Sequence, residues 1–251
     1  MIAAHGLERR VAPEAFRFAV VGLWDTVEAL GWPNAREDID MPNGRYEDQV
    51  CNMDKVLHAV ALDDNRATMY TPILMSLPRL WQHCADQPGK ARGAHVTEVW
   101  FAGAHSDVGG GYGRGYLSGV SLNWMLGEVG RIGIGGRSVF PQEAGVYADP
   151  LDIVHDAQGN NLLFRRIFKR RARDLQGYAG QTGQTIKVHE SAIARLKAQH
   201  ALMRAEDRTG RDTRLPRTLD DALRSDIAAC LETDPRMMRA DAACSWLEIV
   251  P

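Results

Sequence analysis

The sequence predicts an α/β fold: a parallel sheet with flanking helices, then a mostly helical C-terminal extension. Three observations predict it. Residues 16–24 form a near-continuous apolar run, interrupted only by Arg17 and Gly22, of the kind a parallel sheet buries on both faces. Val96 to Phe101 is rich in β-branched and aromatic residues and reads as a second strand. Leu117 to Val129 carries Leu117, Val120, Trp124, Met125 and Val129 at largely helical spacing, with Ser118 near its start. Open α/β sheets place their chemistry at the carboxyl ends of strands. The first strand ends on Asp25, and the second delivers His105, Ser106 and Asp107 ahead of Gly109, Gly110 and Gly111, where the absence of a Cβ permits a sharp turn.

Between these strands, prolines and glycines from Gly31 to Gly44 mark a loop. From Glu47 to Ala61 the apolar residues Val50, Met53, Val56, Leu57 and Val60 fall on one side of a helix, and the polar cluster Leu62 to Arg66 ends it. Met69 to Ile73 reads as a short strand, Leu77 to Trp81 as a turn or short helix, and Asp86 to Lys90 as a surface loop. Glycines from Gly130 to Gly136 and then Pro141 suggest a boundary, dividing the chain into 1–136, which holds the acid and histidine, and 137–251, the helical extension. The extension has a basic run from Arg165 to Arg173, helical segments at Glu190 to Arg204 and Leu219 to Leu231, and a charge-dense loop from Arg204 to Arg217. The basic run, with Ile167 and Phe168 interleaved, reads first as the solvated face of an amphipathic helix and second as a contact for phosphate or acidic lipid.

Composition narrows the function. The 251 residues suffice for a sizeable core, and a net charge of −2 gives no general attraction to nucleic acid, so no nucleic-acid partner is expected. No phosphate loop, dinucleotide fingerprint or HExxH helix occurs, and no cofactor or metal is expected. Cys51, Cys84, Cys230 and Cys244 form no CxxC pair, which argues against zinc and against a disulfide framework, and makes a reduced compartment the expectation. The N-terminus has no secretory signal and no apolar run is long enough for a transmembrane segment. A cytoplasmic location follows as an expectation, with export by a route other than Sec compatible.

Asp25 and His105 are the candidate catalytic pair. An aspartate after a strand is often a turn former or cap, and a lone loop histidine is often structural. Together they fit the orienting acid and general base of a triad, in which the carboxylate holds a histidine Nδ1–H and stabilises the imidazolium. In α/β-hydrolases the chain order is serine, acid, histidine. No serine precedes Asp25 and no G-x-S-x-G occurs; Ser121 and Ser138 match it only in half, and Ser106 reads as a turn hydroxyl. Asp107 reads first as a cap of its own turn. His58, Asp63, Asp64 and Arg66 read equally as a salt-bridged cluster near a cleft or as a solvated helix end. A metal site built from His105, Asp107, His155 and Asp156 has the ligand types but no supporting spacing.

Three stretches resemble, in order, motifs of one family: Phe18 to Val27, His58 to Arg66, and Glu98 to Tyr112, with His189 to Ser191 similar to a weaker fourth. The family is an α/β-hydrolase-like domain family of bacteria and fungi that includes type VI secretion phospholipase effectors. The resemblance covers about residues 16 to 130. It implies a partial α/β-hydrolase-like sheet and a serine lipase or esterase acting on phospholipid or another ester, with Asp25 matching the acid and His105 the base. The family's Gly-Phe-Ser-Arg-Gly-type elbow has no counterpart here. The expectation is therefore a fragment of a serine hydrolase, inactive alone, whose nucleophile comes from an upstream polypeptide. The alternative is a non-catalytic remnant acting as a binding or structural module.

Overall fold

A computed structural model describes residues 18–27, 50–64, 66, 71–113, 115–133, 137, 145–155, 172–198, 225–232 and 244–251. Its centre is one all-parallel sheet of five strands in sequential order: β1 (Val21–Trp24), β2 (Val56–Ala61), β3 (Val96–Phe101), β4 (Ile186–His189) and β5 (Leu247–Val250). The helices are α1 (Pro78–Trp81), α2 (His105–Gly109), α3 (Leu117–Ile132), α4 (Leu175–Thr182), α5 at 190–198 and α6 (Ser225–Glu232).

Alternation along the strands separates the two faces, because successive side chains point to opposite sides. Val60 and Trp100 pack with Leu175, Tyr178, Ala192, Ile193 and Ile227, so α4, α5 and α6 cover one face. Ala59, Ala61, Val99 and Phe101 pack with Val108, Val120 and Trp124, so α2 and α3 cover the other. Trp100 stacks on Tyr178 at 5.7 Å between centroids, and Phe101 meets Trp124 at 5.4 Å. Every residue of β2 is buried, as a central parallel strand requires.

Residues 50–61 depart from the helical expectation, and 47–49 lie outside the described residues. Val50–Asn52 form a 3-10 turn, and Val56–Ala61 form the β2 strand. A short, mostly apolar run has no period that separates a buried strand from a helix, and the partners on either side decide it. Residues 71–74 carry no strand, only an isolated bridge from Pro72 to Val27; Met69 and Tyr70 lie outside the described residues.

The cysteines also depart from expectation. Cys51 pairs with Cys84 and Cys230 with Cys244, at Cα separations of 5.3 and 5.7 Å. Disulfide bonding follows from distance after folding, which a missing CxxC spacing cannot report. The first bridge ties the turn after Val50 to the residues following α1, and the second ties α6 to the residues entering β5.

The helical extension contributes more than helices. Its described residues include α4, α5 and α6, and β4 and β5 also come from it and continue the sheet begun by β1 to β3. The sheet and the core beneath it therefore run across the boundary expected at residue 137. The loop at 31–44, the charge-dense loop at 204–217 and Arg165 to Arg171 lie outside the described residues.

One polar hub sits in this apolar frame. His58 on β2 faces Glu98 on β3 in the strand register, and His58 Nδ1 lies 2.8 Å from Glu98 Oε1. Glu98 also accepts from the Met75 N–H at 2.7 Å, the Ser76 N–H at 3.1 Å and the Ser76 hydroxyl. Four donors around one carboxylate leave no place for an amide's NH2. Glu98→Gln is expected to lower unfolding free energy by about 2–4 kcal/mol, since it sets donor against donor in a buried site; urea unfolding measures this.

Candidate active site

Asp25 follows β1 with φ of 41°, a left-handed conformation uncommon outside glycine but tolerated by aspartate. This turn keeps Asp25 joined to β2 twice: its N–H donates to Ala59 O at 2.7 Å, and its Oδ1 accepts from the Ala61 N–H at 2.9 Å. The side chain thus extends the strand ladder by one acceptor. The next residue is braced as well, for the Thr26 N–H donates to His58 Nε2 at 3.0 Å. His58 accepts at Nε2, so its proton sits on Nδ1, facing Glu98. The polar hub inside the sheet therefore fixes the backbone beside Asp25.

His105 opens α2 just beyond β3. The turn that carries it needs glycine at Gly103, where φ is 114° and a Cβ would stand 2.5 Å from Asp107 Cβ. Two carboxylates after β2 hold this turn. Asp63 Oδ2 accepts the Gly103 N–H at 2.6 Å, and Asp64 Oδ2 accepts the His105 N–H at 3.2 Å. Asp64 is itself gripped by Arg66, whose Nη2 lies 2.6 Å from Asp64 Oδ2. Burial would raise the Asp64 carboxyl, but the hydrogen bond and charge of Arg66 and the charge of Arg173 hold it below its ordinary value.

The two candidate residues meet. His105 Nδ1 is 2.8 Å from Asp25 Oδ2, across 80 positions of sequence. Asp25 is fully buried, whereas 31% of the His105 side chain is exposed. Burial pushes the Asp25 carboxyl up, but the Arg173 charge and hydrogen bonds from His105, Arg173 and Ala61 outweigh it and hold it well below the carboxylate range. An ionised Asp25 accepts hydrogen bonds only. Nδ1 of His105 must then carry the proton, which leaves Nε2 as the basic nitrogen of the neutral ring.

Arg173 is the residue that sequence reasoning missed. Its Nη1 lies 2.5 Å from Asp25 Oδ1 and 2.5 Å from Ala61 O, and its Nη2 lies 3.1 Å from Asp25 Oδ2. It closes the basic run, and the sequence reading put it on a solvated face or against phosphate. Instead it is buried, immediately before the Asp174 N-cap of α4. Position after a basic run carries no signal for this; only the fold reveals it.

The other candidates divide. Asp107 caps its own turn, accepting the Ala104 N–H at 3.0 Å, and also meets His155, whose Nδ1 lies 2.6 Å from Oδ1. The His155 ring stacks on Tyr112 with centroids 3.8 Å apart. Asp107 and His155 thus pair with each other while His105 turns to Asp25; Asp156 lies outside the described residues. Ser121 is buried in α3 and its hydroxyl donates to Val108 O at 2.6 Å, while Ser138 lies outside the described residues. His189 accepts the Ser191 N–H at 3.2 Å and lies 2.7 Å from the Ser191 hydroxyl, capping α5.

The family model described as "T6SS, Phospholipase effector Tle1-like, catalytic domain" matches residues 3–128. The chain belongs to this family. No curated protein and no solved structure matches the chain. The Tle1-like match takes in Asp25, His58, Asp64, Glu98, His105 and Asp107, and it ends before Arg173.

A buried, depressed carboxylate makes stability depend on acid. Its contribution is fully present above the unfolded carboxylate value of about 3.9 and is lost as pH falls through the lower folded value. Asp25→Asn is expected to cost about 3–5 kcal/mol at pH 7 by taking the buried carboxylate away from Arg173. The gap to the parent should narrow as pH drops below about 4, read by chemical unfolding across pH.

Proposed function

We propose that Asp25 and His105 are the acid and base of an ester-hydrolysing triad acting on phospholipid or a related ester. The contact of 2.8 Å between Asp25 Oδ2 and His105 Nδ1 carries this reading. His105 Nε2 takes the proton of a serine hydroxyl as its oxygen attacks the ester carbonyl. Asp25 stabilises the resulting imidazolium, which then protonates the departing alkoxide. In the second half, water replaces serine and the same transfers free the acid.

The serine comes from an upstream polypeptide segment that is not among these 251 residues, which contain no G-x-S-x-G. Among the described residues β1 is the outer strand of the sheet and its Gly22 is exposed. A strand pairing with this edge and ending in an elbow would bring its hydroxyl to the carboxyl side of the sheet, beside Asp25. The elbow also supplies an oxyanion N–H from the residue after the nucleophile. Alone, the chain then holds a base and an acid with no nucleophile to activate. The two disulfides favour the exported form of the location expectation, since such bonds form and persist in oxidising compartments.

Assays with a p-nitrophenyl ester and with phospholipid vesicles test this. The chain alone is expected to give no turnover above buffer, and co-expression with a G-x-S-x-G-bearing upstream segment to give activity that His105→Ala lowers by about 10³–10⁴-fold. Robust turnover by the chain alone, or activity in the co-expressed pair that survives His105→Ala, would sink the proposal.

A further inference from the structure

We infer that Arg173 is a positioning residue of the Asp25–His105 pair, presenting Asp25 Oδ2 to the imidazole and competing with the imidazolium for the same negative charge. This rests on the acid–base reading above. The guanidinium grips both carboxylate oxygens, so the carboxylate cannot rotate without breaking a contact. It is anchored in turn on Ala61 O at the end of β2 and lies 6.0 Å from the centre of the Trp100 ring. A planar fork held at three acceptors is a geometry that arginine supplies and lysine does not.

The charge has a separate consequence. While His105 is neutral, the charges of Asp25 and Arg173 cancel; when His105 gains a proton, these three groups together carry one net positive charge. Among the described residues, Asp64 after β2, already paired with Arg66, and Tyr178 in α4 also act on Arg173. Arg173 therefore opposes a second positive charge beside Asp25. Arg173 lies beyond the Tle1-like match, so the electrostatics of the acid depend on a segment outside the matched residues.

Histidine ring NMR of the full chain, titrated with pH, reads the effect without any need for turnover. Arg173→Gln is expected to move the His105 midpoint upward by about one pH unit, and Arg173→Lys, which keeps the charge, to return most of that shift. Asp25→Asn is expected to move the midpoint down, and Asp25→Asn/Arg173→Gln to recover upward from it. The double variant removes both buried charges together, so it serves where Arg173→Gln alone fails to fold. A His105 midpoint that ignores Arg173 but responds to Asp25→Asn overturns this inference alone. A midpoint that ignores Asp25→Asn overturns the acid–base reading itself. Loss of fold in all the Arg173 variants assigns the residue to folding and also overturns the inference.

Discussion

A carboxylate with no access to water is the constraint around which this protein is arranged. Moving an unpaired charge out of water costs far more than one side chain's packing returns. Asp25 is tolerable only because its acceptors are met: by the Ala61 N–H, by Arg173 at both oxygens and by His105 at one. These donors belong to the end of β2, the lead-in to α4 and the start of α2. None is near Asp25 in sequence. The charge is balanced only when the strands are in register and the later half is docked, which makes the pair a readout of the whole fold.

Around that carboxylate, the protein uses further buried and half-buried acids to fix backbone. Asp63 and Asp64 hold the turn from Gly103 to His105, Asp107 holds Ala104, and Glu98 holds Met75 and Ser76. Each carboxylate accepts main-chain N–H groups that a loop would otherwise leave unsatisfied at a strand end. The effect on function is indirect but specific: the His105 ring is aimed by its own backbone, and that backbone is pinned from β2. The Asp107–His155 pair extends the same construction to residues 145–155. There the close approach of Tyr147 O to Gly119, 2.4 Å from where a Cβ would stand, leaves room only for glycine on α3.

Much of this was legible because chemistry and strand ends coincide. The β1 and β3 strands announce themselves by apolar runs, and the polar residues directly after them are the pair that meets. The α3 helix follows its apolar spacing closely, running from Leu117 to Ile132 where Val129 was expected. What was hidden depended on contacts between distant segments. The β2 strand looks helical in one dimension because Val56, Leu57 and Val60 fit either period, and only β1 and β3 on its flanks impose the extended form. Histidine in such a strand looks anomalous until Glu98 appears opposite it. Cysteine pairing and the burial of Arg173 share the same cause: both follow from where chains cross, and local pattern does not encode that.

The later half of the chain shows how far the site extends. Trp100 on β3 packs against Tyr178 and Val188, and the same cluster includes Leu175, Ile227 and Leu247. Leu175 and Tyr178 stand on α4, directly after Arg173, so the packing that seats the helix on the sheet also delivers the guanidinium to Asp25. Asp174 fixes the start of that helix by accepting the Gly177 N–H at 2.9 Å. A core contact, a helix cap and a buried charge pair thus act on three consecutive positions. Displacing α4 would separate Arg173 from Asp25 and leave two opposite charges buried apart, a penalty much larger than the loss of the helix's own apolar contacts. Strands from both sides of the boundary suggested by the glycines from Gly130 to Gly136 thus share one sheet.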